Sequence, residues 1–345
     1  MIPEHTPENQ TLPTEKNPPS SVHTKALKLQ NAENCVYRDN LVQNAGKSYY
    51  TAREFYHQYW DCSEFNKYHL FMKCRTRAFF ARQTSTGKVS IISNSCHLRW
   101  CPFCSTSKTN IIRKNVRTWL SKINYPKFIT LTLCHSETPL KDQIDKLYTS
   151  FKQLRRIKMF NKNAKTGVWF FQIKKSNIDG NWHPHLHVIT GGGYIQQRML
   201  SKEWQRITGE SFIVDIRAIK DQAKASDYVA RYASKTCNVN DFSLDELNEI
   251  TDALKKHRVC GSWGSANKAK LTTISKMDKS DWTMLGMFSS IVNLRFTDER
   301  AKIIYEAYKS GQAIDEGVDV CDFDNIRRGL PPPDDSIYEV LDEND

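Results

Sequence analysis

Residues 181–190 read Asn-Trp-His-Pro-His-Leu-His-Val-Ile-Thr. In an extended strand, the period of two puts His183, His185 and His187 on one face and Pro184, Leu186 and Val188 on the other. Imidazole suits several divalent metals. Two ligands from one strand need only a third from a neighbouring element to leave positions open for substrate. The stretch is therefore a candidate catalytic metal site; a histidine-rich edge strand, or a structural zinc site on the same residues, is the plainer alternative.

Upstream, residues 168–173 form the preceding strand, and Asn-Ile-Asp-Gly at 177–180 turns the chain into the histidine strand. Antiparallel pairing across that turn sets Gln172 or Lys174 beside His185 and His187. Gln172 is the first choice for a third ligand, with His183 the alternative. Phe-Ile-Thr-Leu-Thr-Leu at 128–133 is β-branched and apolar enough for a central strand. His135 lies just past it. Residues 141–160 and 197–207 repeat apolar residues at helical spacing, and 212–219 alternates as a strand. A helix is expected over 226–235, with Tyr228 and Tyr232 four apart on one face, Lys235 three beyond, and Arg231 alongside.

The charge is unevenly placed. Between Glu64 and Glu137 there is no acidic residue, while thirteen Lys or Arg occur; from Asp315 onward eleven acids face only Arg327 and Arg328. A basic body of this kind favours a polyanion, and nucleic acid is the usual one. Residues 108–123 read as a basic helix whose Arg113, Lys114 and Arg117 are available to DNA. No run of eighteen apolar residues is present, so a membrane partner is not expected and a cytoplasmic location is.

Of ten cysteines, four are grouped by spacing. Residues 84–87 turn a hairpin that Cys74 precedes and Cys-His-Leu-Arg-Trp-Cys-Pro-Phe-Cys at 96–104 follows. Cys101 and Cys104 make a tight knuckle that Cys96 and Cys74 complete as a tetrahedral zinc site of four thiolates. His97, His69 or Cys62 are the substitutes for one ligand.

A tyrosine hydroxyl with a pKa of about 10 is a poor nucleophile, but a metal that polarises a phosphodiester and nearby cations make attack feasible. The run 128–133, the His183–His187 strand and Tyr-Val-Ala-Arg-Tyr-Ala-Ser-Lys at 228–235 occur in the order of three motifs. In this the chain resembles the rolling-circle replication initiators of plasmids and single-stranded DNA phages, the HUH endonucleases. The cysteine group resembles the cysteine-rich segment of the plasmid Rep subfamily. The resemblance covers Cys74 to Lys235. It implies an α+β fold: an antiparallel sheet of ferredoxin-like or RRM-like kind, helices on one face and the active site on the open one, preceded by the small zinc-binding module. It implies Mg2+ or Mn2+ on His185 and His187, nicking by Tyr232, and Lys235 nearby. Gln172 stands where related initiators have a glutamate ligand, and Tyr228 where they have a glutamate before the nucleophile. The second departure suggests a two-tyrosine mechanism in which Tyr228 resolves the intermediate.

The expected organisation is a disordered arm (1–45), a basic zinc-binding DNA-contact module (46–125), an HUH endonuclease domain (126–275), a helical extension (276–312) and an acidic disordered tail (313–345). The expected activity is site-specific nicking and strand transfer at an origin, single-stranded or in a hairpin, in a bacterial host. With no phosphate-binding loop of the Gly-x-x-x-x-Gly-Lys type, helicase and polymerase come from the host. The alternatives are a two-tyrosine HUH transposase, sharing the same residues, and a non-catalytic zinc-stabilised DNA-binding regulator.

Overall fold

The computed structural model describes residues 35–60, 65–134, 136–176, 179–221, 223–225, 237–273, 279–315, 318 and 338–341. Two antiparallel sheets organise it. The larger is built from β3 (Lys127–Thr132), β4 (Thr166–Lys175), β5 (Trp182–Gly191), β6 (Val214–Ala218) and β7 (Cys260–Trp263), in the order β6-β3-β5-β4-β7. Helix α5 (Leu140–Leu154) links β3 to β4, and α7 (Gln197–Thr208) links β5 to β6. From β3 to β6 the chain therefore runs β-α-β-β-α-β.

The alternation of each strand decides what its two faces carry. Ile129, Leu131, Phe171, Ile173, Leu186 and Val188 form one face and are sealed by Ile144, Leu147 and Phe151 of α5 and Leu200 and Trp204 of α7. Phe170, Val168 and Ile189 lie on the other, under Ile112, Val116 and Leu120 of α4 (Pro102–Leu120). Helices therefore cover both faces, one wholly and the other in part, where cover on one face was expected. The reason is legible in α4, whose apolar stripe needs a partner surface and finds it on the sheet. Each fully buried Leu or Ile of these layers contributes about 1.5–3 kcal/mol relative to exposure.

The smaller sheet has the order β8-β1-β2-β9, from β1 (Ala78–Gln83), β2 (Val89–Asn94), β8 (Trp282–Met287) and β9 (Tyr338–Leu341). The expected hairpin is β1–β2. Its neighbours were not expected: β8 comes from the supposed helical extension and β9 from the supposed disordered tail. Helices α9 (Phe288–Leu294) and α10 (Glu299–Ser310) do follow β8, and Ile291, Ile304 and Tyr308 share a core with Phe80 and Ile91. The amino-terminal hairpin and the carboxy-terminal region thus complete one another. The expected arm also ends early, because α1 (Cys35–Ala45) is helical and places Tyr37 in that same core.

Helices α2 (Lys47–His57) and α3 (Phe65–Lys73) pack aromatics onto the larger core, with Tyr49 stacked on Phe71 and on Phe103 of α4 at 5.4 and 5.7 Å. Helix α8 (Leu244–Ala253) starts at a capping box formed by Ser243 and Glu246. Its Thr251 accepts a hydrogen bond from the Trp100 indole at 2.9 Å. No helix among the described residues is long and apolar enough to cross a membrane.

Candidate functional site

The histidine strand is β5, and it lies inside the sheet between β3 and β4 rather than at an edge. Its register on β4 sets Gln172 opposite His185, Phe170 opposite His187 and Lys174 opposite His183. Gln172, His185 and His187 therefore share one face and are all buried. The Gln172 amide oxygen lies 2.5 Å from His185 Nε2 and 2.8 Å from His187 Nε2.

The tautomers follow from what surrounds the rings. His185 Nδ1 is 3.1 Å from the His183 carbonyl, which accepts from Nδ1 in the tautomer that leaves the Nε2 lone pair facing Gln172. Thr130 Oγ1 stands 3.4 Å from His187 Nδ1 and can hold that ring the same way round. Phe128 stacks on His187 with centroids 5.4 Å apart. Two imidazole lone pairs and an amide oxygen then converge on one point. A proton is resisted: burial, with the His183 and Lys174 charges, lowers His185 to about 4, and burial with the His185 and Lys174 charges lowers His187 to about 3. A divalent ion fits better. Bonds of about 2.1 Å put cis ligands about 3 Å apart, so Gln172 needs to draw back by only a few tenths of an ångström.

His183 lies on the same strand face but further out, half-buried, with its ring centroid 5.7 Å from that of His185. Lys174, opposite it, is exposed on the site face. Sequence reasoning missed Thr130 and Phe128 as supports of His187. The alternation of 128–132 carried that signal, since Thr130 and Thr132 pair with His187 and His185 across β3. It also missed Asp215 and Arg217 of β6, which follow Thr130 and Phe128 across the next ladder and form an ion pair at 2.8 Å.

Tyr228, Arg231, Tyr232 and Lys235 lie outside the described residues, as does His135. Ala225 packs on the core made by Val168, Phe170 and Ile189, which is the face that carries His185 and His187. On α4, Lys114 and Arg117 are exposed and Arg113 is half-buried, donating to Asn110 at 3.2 Å.

The four grouped cysteines come together as expected. Cys74, Cys96, Cys101 and Cys104 are buried with all four sulfurs within 4.8 Å of one another. The Cys74–Cys104, Cys96–Cys104 and Cys74–Cys101 separations are 3.6, 3.6 and 3.7 Å. Disulfides need about 2.05 Å. Tetrahedral bonds of about 2.3 Å to zinc give sulfur edges of about 3.8 Å, close to those observed. The cluster is thus consistent with a structural zinc. Cys101 is the N-cap of α4 and Cys104 lies in its first turn, where the helix dipole favours thiolate. Hydrogen bonds from Cys101, Cys74 and Cys96 hold the Cys104 thiol far below its ordinary value, while burial pushes Cys101 up. The residues following Cys74 and Cys96, Arg75 and His97, take left-handed backbone angles with φ of 61° and 53°. Arg75 is itself buried, its guanidinium donating to the Ser93 carbonyl at 3.2 Å and Ser107 Oγ at 3.0 Å.

Comparison with known proteins identifies relatives of the whole region. The family model Rep_1, described as replication protein, matches residues 89–287, more than half of the chain. A curated relative named Protein rep, from Staphylococcus aureus, is 26% identical over 192 residues, covering 49% of this chain and 82% of its own. No solved structure matches.

Proposed function

The chain belongs to the Rep_1 replication-protein family, and from that premise we propose that it is an origin-nicking enzyme that starts rolling-circle replication through a phosphotyrosine intermediate. The observation that carries this reading is the convergence of His185 Nε2, His187 Nε2 and the Gln172 amide oxygen on one point. These residues would hold Mg2+ or Mn2+, which polarises a phosphodiester and lowers the barrier to attack at phosphorus. The β-α-β-β-α-β succession with strand order β6-β3-β5-β4 supports a ferredoxin-like core.

In the proposed step, the Tyr232 hydroxyl gives up its proton to solvent as its oxygen attacks the phosphorus, an O–P bond forms to tyrosine, and the P–O3′ bond breaks. The departing 3′ oxygen takes a proton and becomes the primer end. Lys174, exposed on the site face, and Lys235 supply positive charge for the phosphate. Tyr228 would serve as the second nucleophile. Basic α4 residues Lys114 and Arg117 would hold flanking DNA, and zinc on the four cysteines would fix the start of that helix. Unwinding and synthesis fall to a host helicase and polymerase.

Covalent capture tests the reading. Labelled single strands carrying the replicon's own origin are incubated with the protein and Mn2+, then run on a denaturing gel. An adduct is expected for the wild type, absent after chelation and in Tyr232→Phe, and retained in Tyr228→Phe. An adduct lost only in Tyr228→Phe reverses the two tyrosines. No adduct under any of these conditions would leave a DNA-binding regulator as the account of the chain.

A further inference from the structure

On the opposite side of the larger sheet, behind its β7 edge, a cavity of about 270 Å3 is lined by Lys152, Arg155, Arg156, Asn161, Lys165 and Trp263. The first three cations come from the end of α5 and just beyond, Asn161 from α6 (Lys158–Asn163), and Lys165 from the turn into β4. Between Asp145 and Asp179 the sequence has no acidic residue at all. Among the described residues, none of these four cations is in an ion pair, and Arg155 Nε is buried without a hydrogen-bond partner.

Arg155 is held in place by its neighbours rather than by an opposite charge. Its guanidinium lies over the Phe151 ring at 5.1 Å and the Trp263 ring at 5.7 Å. The Trp263 indole donates to the Ala164 carbonyl at 2.9 Å, which fixes that ring. Burial and the Arg156 charge both press Arg155 below its ordinary pKa. Gathering cations in a half-enclosed space without a counter-charge costs free energy that an anion would recover.

We propose that this cavity is a phosphate-binding site that takes the backbone of duplex DNA flanking the nick, on the reverse side of the sheet from the histidines. The proposal rests on the DNA-processing reading above and adds a second contact surface to it. Phosphate suits a guanidinium fork with surrounding lysines. A polymer suits it better than a free ion, because exposed Lys158 and Lys162 of α6 continue the line of charge beyond the cavity. A duplex suits it better than a single strand, because Arg155 already covers the Trp263 ring on which a base would stack. Strand β7 ends the sheet, so a backbone can pass round that edge from one face to the other.

The test uses the full chain and the triple variant Lys152→Gln, Arg156→Gln, Lys165→Gln, all exposed positions. Binding to a duplex of about 20 base pairs is titrated against salt. The expected result is a shallower dependence of log affinity on log salt, by roughly two to three in slope, and binding about tenfold weaker near 0.15 M salt. Adduct formation with a short single strand is expected to be unchanged, which separates this site from the nicking reading. A control removes three exposed lysines elsewhere, Lys202→Gln, Lys302→Gln and Lys309→Gln. Equal losses in the control, or an unchanged slope in the triple variant, overturn the proposal. So does inorganic phosphate or a peptide of residues 319–337 binding wild type but not the triple variant while duplex binding stays the same; the pocket would then serve free phosphate or the chain's own acidic segment.

Discussion

Gln172 stands directly across the β4–β5 ladder from His185, and its amide oxygen also reaches His187 one pleat further along. The ladder itself makes this triangle: residues two apart on β5 share a face, and the register places one β4 side chain between them. A one-residue slip would turn Gln172 to the opposite face and put Phe171 in its place.

Replacing Gln172 tests the triangle through metal affinity alone. Gln172→Ala is expected to weaken Mn2+ binding at least about tenfold, or about 1.4 kcal/mol. Gln172→Glu is expected to strengthen it, because a carboxylate is the better ligand for a hard cation. Calorimetric Mn2+ titration of the three proteins in the absence of DNA reads this directly, and an unchanged affinity in Gln172→Ala would remove the amide from the site.

Acid should act on the histidines in a defined window. Both are depressed by burial, to about 4 for His185 and about 3 for His187, below the ordinary 6.5. The unfolded chain therefore takes up protons near pH 6.5 that the folded chain refuses until about pH 4 to 3. Stability rises with pH across that interval, is fully present above about 6.5, and is lost as pH falls through the folded values. Two such shifts amount to several kcal/mol at most. His187→Gln should flatten the curve of denaturation midpoint against pH between about 3.5 and 6.5 relative to wild type.

The same depression predicts that Mn2+ affinity stays nearly level from pH 7.5 to about 5.5, since the rings are already neutral there. A tenfold loss over that range would mean that the rings titrate normally.

The cysteine cluster should hold one zinc per chain with four thiolates. Cys104→Ser, which removes the sulfur 3.6 Å from those of both Cys74 and Cys96, is expected to release the ion to a colorimetric chelator and lower the melting temperature by more than about 10 °C. A melting curve unmoved by the substitution or by chelation would make the four side chains ordinary core residues.

Ending the chain after Val318 removes β9 and exposes the free edge of β2, where Ile91 and Ile92 pair with Leu341 and Val340. An uncovered apolar edge invites pairing between molecules, so light scattering should show more self-association than in the full chain.

Much of this was legible in local sequence. The alternation at 183–187 and the turn at 177–180 were enough to place Gln172 beside the histidines, because a hairpin needs no distant partner to set its register. The spacing of Cys96, Cys101 and Cys104 with Cys74 was similarly local. Long-range pairings left no such mark. Nothing in Trp282–Met287 or Tyr338–Leu341 announces β1 or β2 as its neighbour, since an edge strand of four to six residues carries only its alternation. The same holds for α4, whose apolar stripe was visible while the sheet face that receives it was not. It began six residues earlier than its basic run suggested, at Pro102, because Cys101 serves as its N-cap.

The cysteine cluster and the buried face behind the histidine strand belong to one continuous core: Cys74, Cys96, Cys101 and Cys104 are in it together with Leu131, Leu186 and Val188. The two prospective metal centres therefore flank one shared core and are expected to unfold together. Amide protons of β5 should exchange with solvent through the same opening event as those at the start of α4, and stripping a zinc ion from the four sulfurs, where one is bound, should speed both. A chelator chosen to silence the histidines would also loosen the scaffold that aligns them, so its effect on activity should outlast the return of Mn2+ until zinc is restored as well.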